Sequence, residues 1–238
     1  MEIEVLGTGS SGNCYKVKIG ATTLLIECGL PYKRIQKKLN FKVSEIDACL
    51  ITHEHQDHAK AIKDLMRAGV DCYMTKGTAE ALEISGHRLN IFNTWAERKY
   101  KTAHLDDILI QPFEAVHDVS EPVSYFISTR DDKEVLVFVT DTAYMKYKIP
   151  ACDVLMIECN YVKSVLDEQV EKGKINVSLR NRIVRNHLSL ESLVEALKAA
   201  DLSRCKKIYV LHLSDGNSNE EVIKRTIQEL TGVEVVIC

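Results

Sequence analysis

Several features that mark common protein classes are missing from this sequence. None of its eight cysteines forms a C-x-x-C pair, so free, mostly buried thiols in a reducing compartment are favoured over disulfides or a zinc cage. No apolar run approaches the ~18 residues of a membrane span. The amino terminus alternates like a strand, whereas a secretory leader would be basic and then apolar. We therefore expect a soluble, cytoplasmic protein without a membrane partner.

An excess of positive charge is missing as well. The net charge is −3, whereas proteins that grip long nucleic acids usually carry a basic excess, so any contact with a polyanion must be local. Low-complexity stretches, long charge blocks and repeats of fixed period are also absent. With 238 residues and 45% apolar content, the chain is long enough to bury a sizeable core. We predict a single domain over residues 1–238.

A cluster of metal-binding residue types stands out against this background. The segment His53–His58 reads HEHQDH and directly follows the apolar run Ala48–Thr52, which predicts a loop at the carboxyl end of a short buried strand. Alternate residues of such a loop diverge, so His53 and His55 are predicted to bind one metal while Asp57 and His58 turn toward a second. Imidazole and carboxylate ligands together suit zinc, manganese or iron ions.

The apolar patterns predict strands first, and then helices among further strands. This mixture favours two sheets packed face to face with helices outside, an α/β fold of the αββα sandwich type. The predicted strands are Glu2–Leu6, Cys14–Ile19, Thr22–Glu27, Ile108–Pro112, Val123–Ser128, Glu134–Val139, Val154–Glu158 and Ile208–Leu213. The predicted helices are Tyr32–Leu39, Ala59–Ala68, Thr78–Ile84, Leu190–Ala200 and Glu220–Leu230.

Two metal ions need more ligands than one loop supplies. His117, Asp141 and His212 each lie where an apolar stretch gives way to polar residues, a placement typical of functional side chains at strand ends. These three residues are therefore predicted to complete the site. His87 and His104 have no such context and are predicted to be ordinary surface residues.

The pattern H-x-H-x-D-H, followed by His117, Asp141 and His212, resembles the metallo-β-lactamase-fold hydrolases. Within them the chain is most similar to the RNase Z-like and YycJ (WalJ)-like phosphodiesterases. That closer similarity depends on further short blocks spread over most of the chain. These blocks are Gly7–Asn13, His117-Asp118 with Pro122, Glu158–Tyr161, His187–Ser189 and Leu211–Ser214.

The resemblance implies a complete ligand set and marks two departures from the usual pattern. It assigns the first metal to His53, His55 and His117, the second to Asp57, His58 and His212, and a bridging position to Asp141. Glu27 stands where such proteins often have Asp, and Asn186 stands where a Gly is expected. We expect Glu27 to lie behind the ligands, where its longer side chain changes local geometry more than metal binding. Relatives of this fold commonly dimerise, so a homodimer is also expected.

This ligand set predicts phosphodiester hydrolysis. Two divalent cations, zinc or alternatively manganese, lower the pKa of a shared water, supply hydroxide near neutral pH and neutralise charge on a phosphoryl group. Asp57 is predicted to orient that hydroxide. His187 is predicted to be the general acid for the leaving oxygen, because it lies outside the ligand set and histidine titrates near neutrality. Glu158 is predicted to orient His187.

Two segments offer weaker signals for phosphate binding. The loop Gly7–Asn13 carries small residues and successive N–H groups that suit either a phosphate nest or a plain strand connection. Basic residues also collect between Tyr161 and His187, where they line the substrate approach or simply face solvent, diluted by nearby acids. They are Lys163, Lys172, Lys174, Arg180, Arg182 and Arg185.

Several functions stay open on the sequence alone. A nuclease acting on DNA or RNA is one, and a phosphodiesterase for cyclic mononucleotides, similar to viral anti-defence enzymes of this fold, is its rival. The acidic net charge suits the smaller substrate. Thioester or lactam hydrolysis is chemically open because the same hydroxide attacks carbonyl carbon, and a non-catalytic metal-binding module is disfavoured because every expected ligand is present.

Overall fold

The computed structural model describes residues 1–96 and 99–238, which divide into two compact units. Unit 1 comprises Met1–Glu114 and Val119–Glu134, and unit 2 comprises Ala115–Asp118 and Val135–Cys238. In the part of the chain that the structure describes, no helix is both long and apolar enough to span a bilayer. The single-domain organisation stays a prediction.

Unit 1 begins with a mixed sheet whose strands follow sequence order. The first three strands pair antiparallel, and from β3 onward the neighbours are parallel. The strands are β1 Glu2–Gly7, β2 Cys14–Ile19, β3 Thr22–Ile26, β4 Ala48–Leu50, β5 Asp71–Met74 and β6 Leu89–Ile91. The helices between them are α1 Tyr32–Lys38, α2 Gln56–Ala59, α3 Ile62–Arg67 and α4 Lys76–Ala81.

Further antiparallel strands of unit 1 follow this sheet. A short ribbon pairs β7 with β8, and a longer meander pairs β10 with both β9 and β11. Pairing through a turn suits these strands because antiparallel neighbours need only short connections. They are β7 Thr94–Ala96, β8 Lys99–Tyr100, β9 Ala103–Leu105, β10 Ile108–Glu114 and β11 Val123–Thr129.

The core of unit 1 contains several of the cysteines. Cys14, Cys28, Cys49 and Cys72 are fully buried among leucine and isoleucine side chains. Burial raises the pKa of the Cys28 thiol, which keeps it neutral. All eight cysteines are free thiols, so the predicted absence of disulfides is confirmed.

Unit 2 is built on parallel strands in the order β15-β14-β13-β12. Every residue of β12 is buried, as expected for a parallel strand covered on both faces. The strands are β12 Val135–Val139, β13 Val154–Glu158, β14 Lys207–Leu211 and β15 Glu234–Ile237. The helices are α5 Lys163–Glu171, α6 Val177–Asn186, α7 Leu190–Ala199 and α8 Glu220–Thr231.

Helix α8 illustrates how the sequence fixes an element in unit 2. The Asn219 side chain caps its amino end by accepting from the Val222 N–H, and Gly232 ends it with a φ of 67°. Ile223 and Ile227, four residues apart, are fully buried, and each contributes roughly 1.5–3 kcal/mol to folding. The predicted helix over Glu220–Leu230 is therefore correct to within one residue.

Some predicted elements differ from the structure at their ends. The predicted helix Ala59–Ala68 is divided into α2 and α3, because the chain turns between Ala59 and Ile62. Helices α5 and α6 were not predicted, because their polar surfaces give a weak apolar pattern. The predicted strands Thr22–Glu27 and Ile208–Leu213 stop one and two residues early, at Ile26 and Leu211.

The early strand ends have a common backbone cause. Glu27 and His212 directly follow β3 and β14 with φ values of 64° and 54°, and Asp141 follows β12 with a φ of 42°. Such left-handed conformations are unfavourable for residues with a Cβ and are held only where surrounding contacts fix them. They turn each side chain out of the strand at the carboxyl edge of the parallel strands, where ligands commonly bind.

Candidate metal centre

The unit 1 donors lie on the loop after β4. The Nε2 atom of His53 lies 3.1 Å from Nδ1 of His55, and the Thr52 hydroxyl lies 2.9 Å from Nδ1 of His53. Two nitrogens bound to one tetrahedral zinc at 2.0–2.1 Å would lie about 3.3 Å apart. The separation of these two imidazoles therefore matches a shared ion.

Asp57 and His58 lie in the first turn of α2 and form a second donor pair. Oδ2 of Asp57 is 3.4 Å from Nε2 of His58. The loop Gly7–Asn13 supports this pair, because the Asn13 N–H donates to the Asp57 carbonyl at 2.7 Å and the Gly29 N–H donates to the Asn13 carbonyl at 2.8 Å. A Cβ at Gly29 would lie 1.7 Å from the Asp57 carbonyl oxygen, so only glycine fits there.

The N–H groups of the Gly7–Asn13 loop are largely used inside the protein. Gly9 N–H donates to the Asn13 side chain and Gly12 N–H donates to the Gly9 carbonyl. These groups are thus not directed at a ligand, which favours the plain structural role over the phosphate nest. The Asn13 amide nitrogen also lies 3.1 Å from Nε2 of His58. Sequence reasoning did not single out Asn13 as a support for that histidine.

Glu27 lies behind the unit 1 donors. It is fully buried, its Oε1 accepts from the Thr52 N–H at 3.2 Å, and the same oxygen lies 3.7 Å from Nδ1 of His58. Burial raises the pKa of the Glu27 carboxyl, and the adjacent His58 offsets part of that effect. Its Oε2 has no hydrogen-bond partner among the described residues. This position matches the one expected for Glu27.

In unit 2, the carboxylate of Asp141 faces two histidines at once. Its Oδ1 lies 3.7 Å from Nε2 of His212, and its Oδ2 lies 3.7 Å from Nε2 of His117. His117 donates from Nδ1 to the Asn186 carbonyl at 2.9 Å, which leaves Nε2 as the unprotonated ligand nitrogen. This geometry is compatible with a carboxylate that bridges two ions.

The contact with His117 also explains why Asn186 is tolerated in place of glycine. The hydrogen bond from His117 uses only the main-chain oxygen of Asn186. Asn186 is not among the described residues with positive φ. The Cβ of this residue therefore meets no backbone penalty.

His187 and Glu158 form a close pair in unit 2. Nδ1 of His187 donates to Oε1 of Glu158 at 2.6 Å, while Oε2 of Glu158 accepts from the N–H groups of Thr142 and Leu188, each at 3.1 Å. Glu158 is fully buried, whereas the His187 side chain is 20% exposed. The pair thus holds the imidazole in one orientation while part of the ring stays exposed to solvent. Donor atoms of Asp141, Glu158, His187 and His212 all lie within 4.8 Å of one another.

Asn160 links the sequence blocks that carry the family resemblance. Its side chain donates to the His212 carbonyl at 2.9 Å, its carbonyl accepts from the Ser214 N–H, and its N–H donates to the Leu188 carbonyl. These bonds fix the left-handed conformation of His212. Sequence reasoning missed this supporting role, which only the pairing of distant segments reveals.

The remaining predicted residues lie outside these clusters. His87 and His104 are exposed, as predicted. Of the basic residues between Tyr161 and His187, Lys172 pairs with Glu168 and Arg180 pairs with Asp167. Arg182 and Arg185, on α6, line a cavity that His117 also lines.

Comparison with known proteins places the chain in a family. A model of the beta-lactamase superfamily domain matches residues 22–213. Exodeoxyribonuclease WalJ of Streptococcus pneumoniae is 32% identical over 94% of this chain and 85% of WalJ. Exodeoxyribonuclease YycJ of Bacillus anthracis is 26% identical over 97% of this chain and 89% of YycJ.

A solved structure supports the fold. The metallo-β-lactamase fold protein YhfI of Bacillus subtilis superposes with a TM-score of 0.74 at 17% identity, covering 99% of this chain and 95% of YhfI. This similarity and the family match confirm the predicted α/β sandwich of two mixed sheets with helices. The family match and the relatives WalJ and YycJ confirm the predicted hydrolase class. The chain belongs to the metallo-β-lactamase superfamily, in the group that includes exodeoxyribonuclease WalJ.

Proposed function

We propose that this protein is a binuclear metal-dependent phosphodiesterase that hydrolyses nucleic acid, with DNA as the first substrate to test. The observation that carries the proposal is the placement of Asp141, whose two oxygens each lie 3.7 Å from a different histidine of unit 2. If each of these histidines binds a different metal ion, a carboxylate that faces both of them can contact both ions. The likeness to WalJ and YycJ, both named exodeoxyribonucleases, supports the choice of substrate.

The donor chemistry fits divalent metal ions. Neutral imidazoles and carboxylates are the ligands of catalytic zinc, and manganese accepts the same set. His117 donates its second nitrogen to a carbonyl, as ligand histidines usually do. We propose zinc in both positions. His53, His55 and His117 would hold one ion, Asp57, His58 and His212 the other, and Asp141 both.

The bound ions would activate water and neutralise negative charge on the phosphoryl group. His187 would give a proton to the leaving oxygen, because Glu158 accepts its Nδ1–H and so leaves Nε2 as the atom that carries the transferred proton. The carboxylate of Asp57 would orient the attacking water. Glu158 would act through His187 by holding its ring.

A panel assay tests this proposal. The purified, zinc-loaded protein is incubated with single-stranded DNA, double-stranded DNA, RNA and cyclic mononucleotides, beside an Asp57→Ala control. We expect cleavage of polymers, loss of cleavage in EDTA and loss in the control. Cleavage of cyclic mononucleotides alone would favour the rival phosphodiesterase, which the net charge of −3 suits. Full activity of Asp57→Ala would remove that residue from the reaction.

A homodimer and a cytoplasmic location complete the proposal. The dimer follows from the family resemblance, and the location follows from the free cysteines. Light scattering of the purified chain tests the first, and fractionation of cells that produce it tests the second.

A further inference from the structure

A cavity of about 570 Å³ in unit 2 lies beside the candidate metal ligand His117. One wall is the segment that contains His117 and Asp118, and the opposite wall is helix α6, with Ser178, Asn181, Arg182 and Arg185. Its volume falls in the range of roughly 300–1,000 Å³ of pockets that hold small ligands. It therefore has room for a nucleotide unit next to a ligand of the proposed metal site.

The two arginines of this cavity lie one helical turn apart and are both exposed. Neither guanidinium has a hydrogen bond or an ion pair with any residue that the structure describes. Arg180 on the same helix differs, because it donates twice to Asp167 at 3.0 and 2.9 Å. Like charges three residues apart on a helix repel each other, so folding alone does not account for the pair.

The chemistry of the cavity favours an anion of phosphate type. Guanidinium groups bind phosphate oxygens through two parallel N–H donors, and Ser178 and Asn181 add neutral hydrogen-bonding groups. The negative charge of Asp118 offsets one of the two arginines, which leaves one net positive charge among the arginine and aspartate side chains that line the cavity. One net positive charge suits a single phosphodiester group of a nucleic-acid strand better than a small molecule with several negative charges.

We propose that this cavity binds the phosphate next to the scissile one, through Arg182 and Arg185. The inference rests on the proposed function and deepens it, since a polynucleotide has a neighbouring phosphate to place there and a cyclic mononucleotide has none. His117, a proposed metal ligand, lines the same cavity and so connects it to the proposed site of the reacting phosphate. The arginines position the strand and take no part in the bond that breaks.

The test compares substrates with one and with several phosphates. Arg182→Gln, Arg185→Gln and the double variant are assayed on a DNA oligonucleotide and on bis(p-nitrophenyl) phosphate. We expect the ratio of the two kcat/KM values to fall about tenfold in the double variant, mainly through the KM for the oligonucleotide. Arg225→Gln is the matched control, because Arg225 is an exposed arginine of α8 outside the cavity.

A binding measurement gives an independent readout. Fluorescence anisotropy of a hydrolysis-resistant phosphorothioate oligonucleotide is followed against salt, and the slope of log affinity against log salt should fall by about one per arginine removed. Asp118→Asn should strengthen binding, because it removes the opposing charge.

Either of two results overturns the proposal: unchanged binding and salt slope in the double variant, or an equal loss on both substrates. If the wild type cleaves no polymer, the proposed function fails. Even then, a loss of oligonucleotide affinity in the arginine variants would support the phosphate subsite. A wild-type protein that binds no oligonucleotide would overturn the subsite.

Discussion

The two units carry metal-ligand residues in opposite ways. In unit 1, His53 and His55 come from the loop after β4, and Asp57 and His58 come from the first turn of α2, so six consecutive positions contain them all. In unit 2, Asp141, Glu158 and His212 come from segments far apart in sequence, which β12, β13 and β14 bring to one edge through parallel pairing. Local sequence thus creates the first cluster, and sheet topology creates the second.

The largest expected effect is a difference in bound metal between a variant of the unit 2 cluster and a variant of the unit 1 cluster. Asp141→Asn should lower the bound metal from two ions to fewer than one and reduce kcat/KM by well over 100-fold, because loss of a group behind a ligand already costs about 10–100-fold. Asp57→Asn should keep more metal, since it removes one ligand of one ion. Elemental analysis of both purified variants measures this difference. Equal metal content in the two would contradict the bridging position of Asp141.

The next effect separates proton transfer from metal binding within unit 2. His187→Ala should lower kcat on DNA by about 10²–10⁴-fold while both ions stay bound. The loss on bis(p-nitrophenyl) phosphate should be far smaller, because nitrophenolate leaves without a proton. The matched change in unit 1, His55→Ala, should lower metal content and impair both substrates alike. An equal loss on both substrates in His187→Ala would argue against a general acid.

A smaller effect compares the buried glutamates behind each cluster. Glu158→Gln should lower kcat by about 10–100-fold, because both of its oxygens accept hydrogen bonds and one of them holds His187. Glu27→Gln should cost less, since one of its oxygens has no hydrogen-bond partner among the described residues. Steady-state kinetics at matched metal content compare them. A larger loss in Glu27→Gln would reverse the ranking.

The smallest effect concerns stability and compares one carboxylate in each unit. Burial alone would raise the pKa of Asp153, yet hydrogen bonds from Lys206, the Val135 N–H and Arg204 outweigh it and hold the pKa below its usual value. A carboxyl with a lowered pKa stabilises the fold above its unfolded pKa of about 3.9, and that stability is lost as pH falls through the folded value.

Asp153→Asn should therefore lower the free energy of unfolding at pH 7 by about 1 kcal/mol, reduced because its cationic partners are in contact with water. The difference from wild type should shrink near pH 3. The carboxylate of Asp107 in unit 1 accepts from the Ala21 N–H and the Thr22 hydroxyl. Asp107→Asn should cost less, since among the described residues no lysine or arginine donates a hydrogen bond to that carboxylate. Urea unfolding at both pH values measures the change, and a difference independent of pH would contradict it.

Sequence patterns identify elements well where one face of the chain is strongly apolar. The strands Cys14–Ile19 and Val154–Glu158 agree residue for residue with β2 and β13. Helices α5 and α6 were missed because their surfaces are mostly polar. The ends at Ile26 and Leu211 were missed because the left-handed turns at Glu27 and His212 depend on tertiary contacts, which no local propensity encodes.

The sequence by itself determined the family, the hydrolase class and the unit 1 donors, because a metal motif confined to one loop needs no long-range contact to be recognised. Only the tertiary structure decided that Asp141 faces both His117 and His212, that Glu158 holds His187, and that Asn160 supports His212. Parallel pairing brings the ends of β12 and β14 together regardless of their separation along the chain, so the 3.7 Å distance between Asp141 and His212 has no local signature. The arginine cavity also joins segments far apart in sequence, since the segment around His117 and helix α6 both line it.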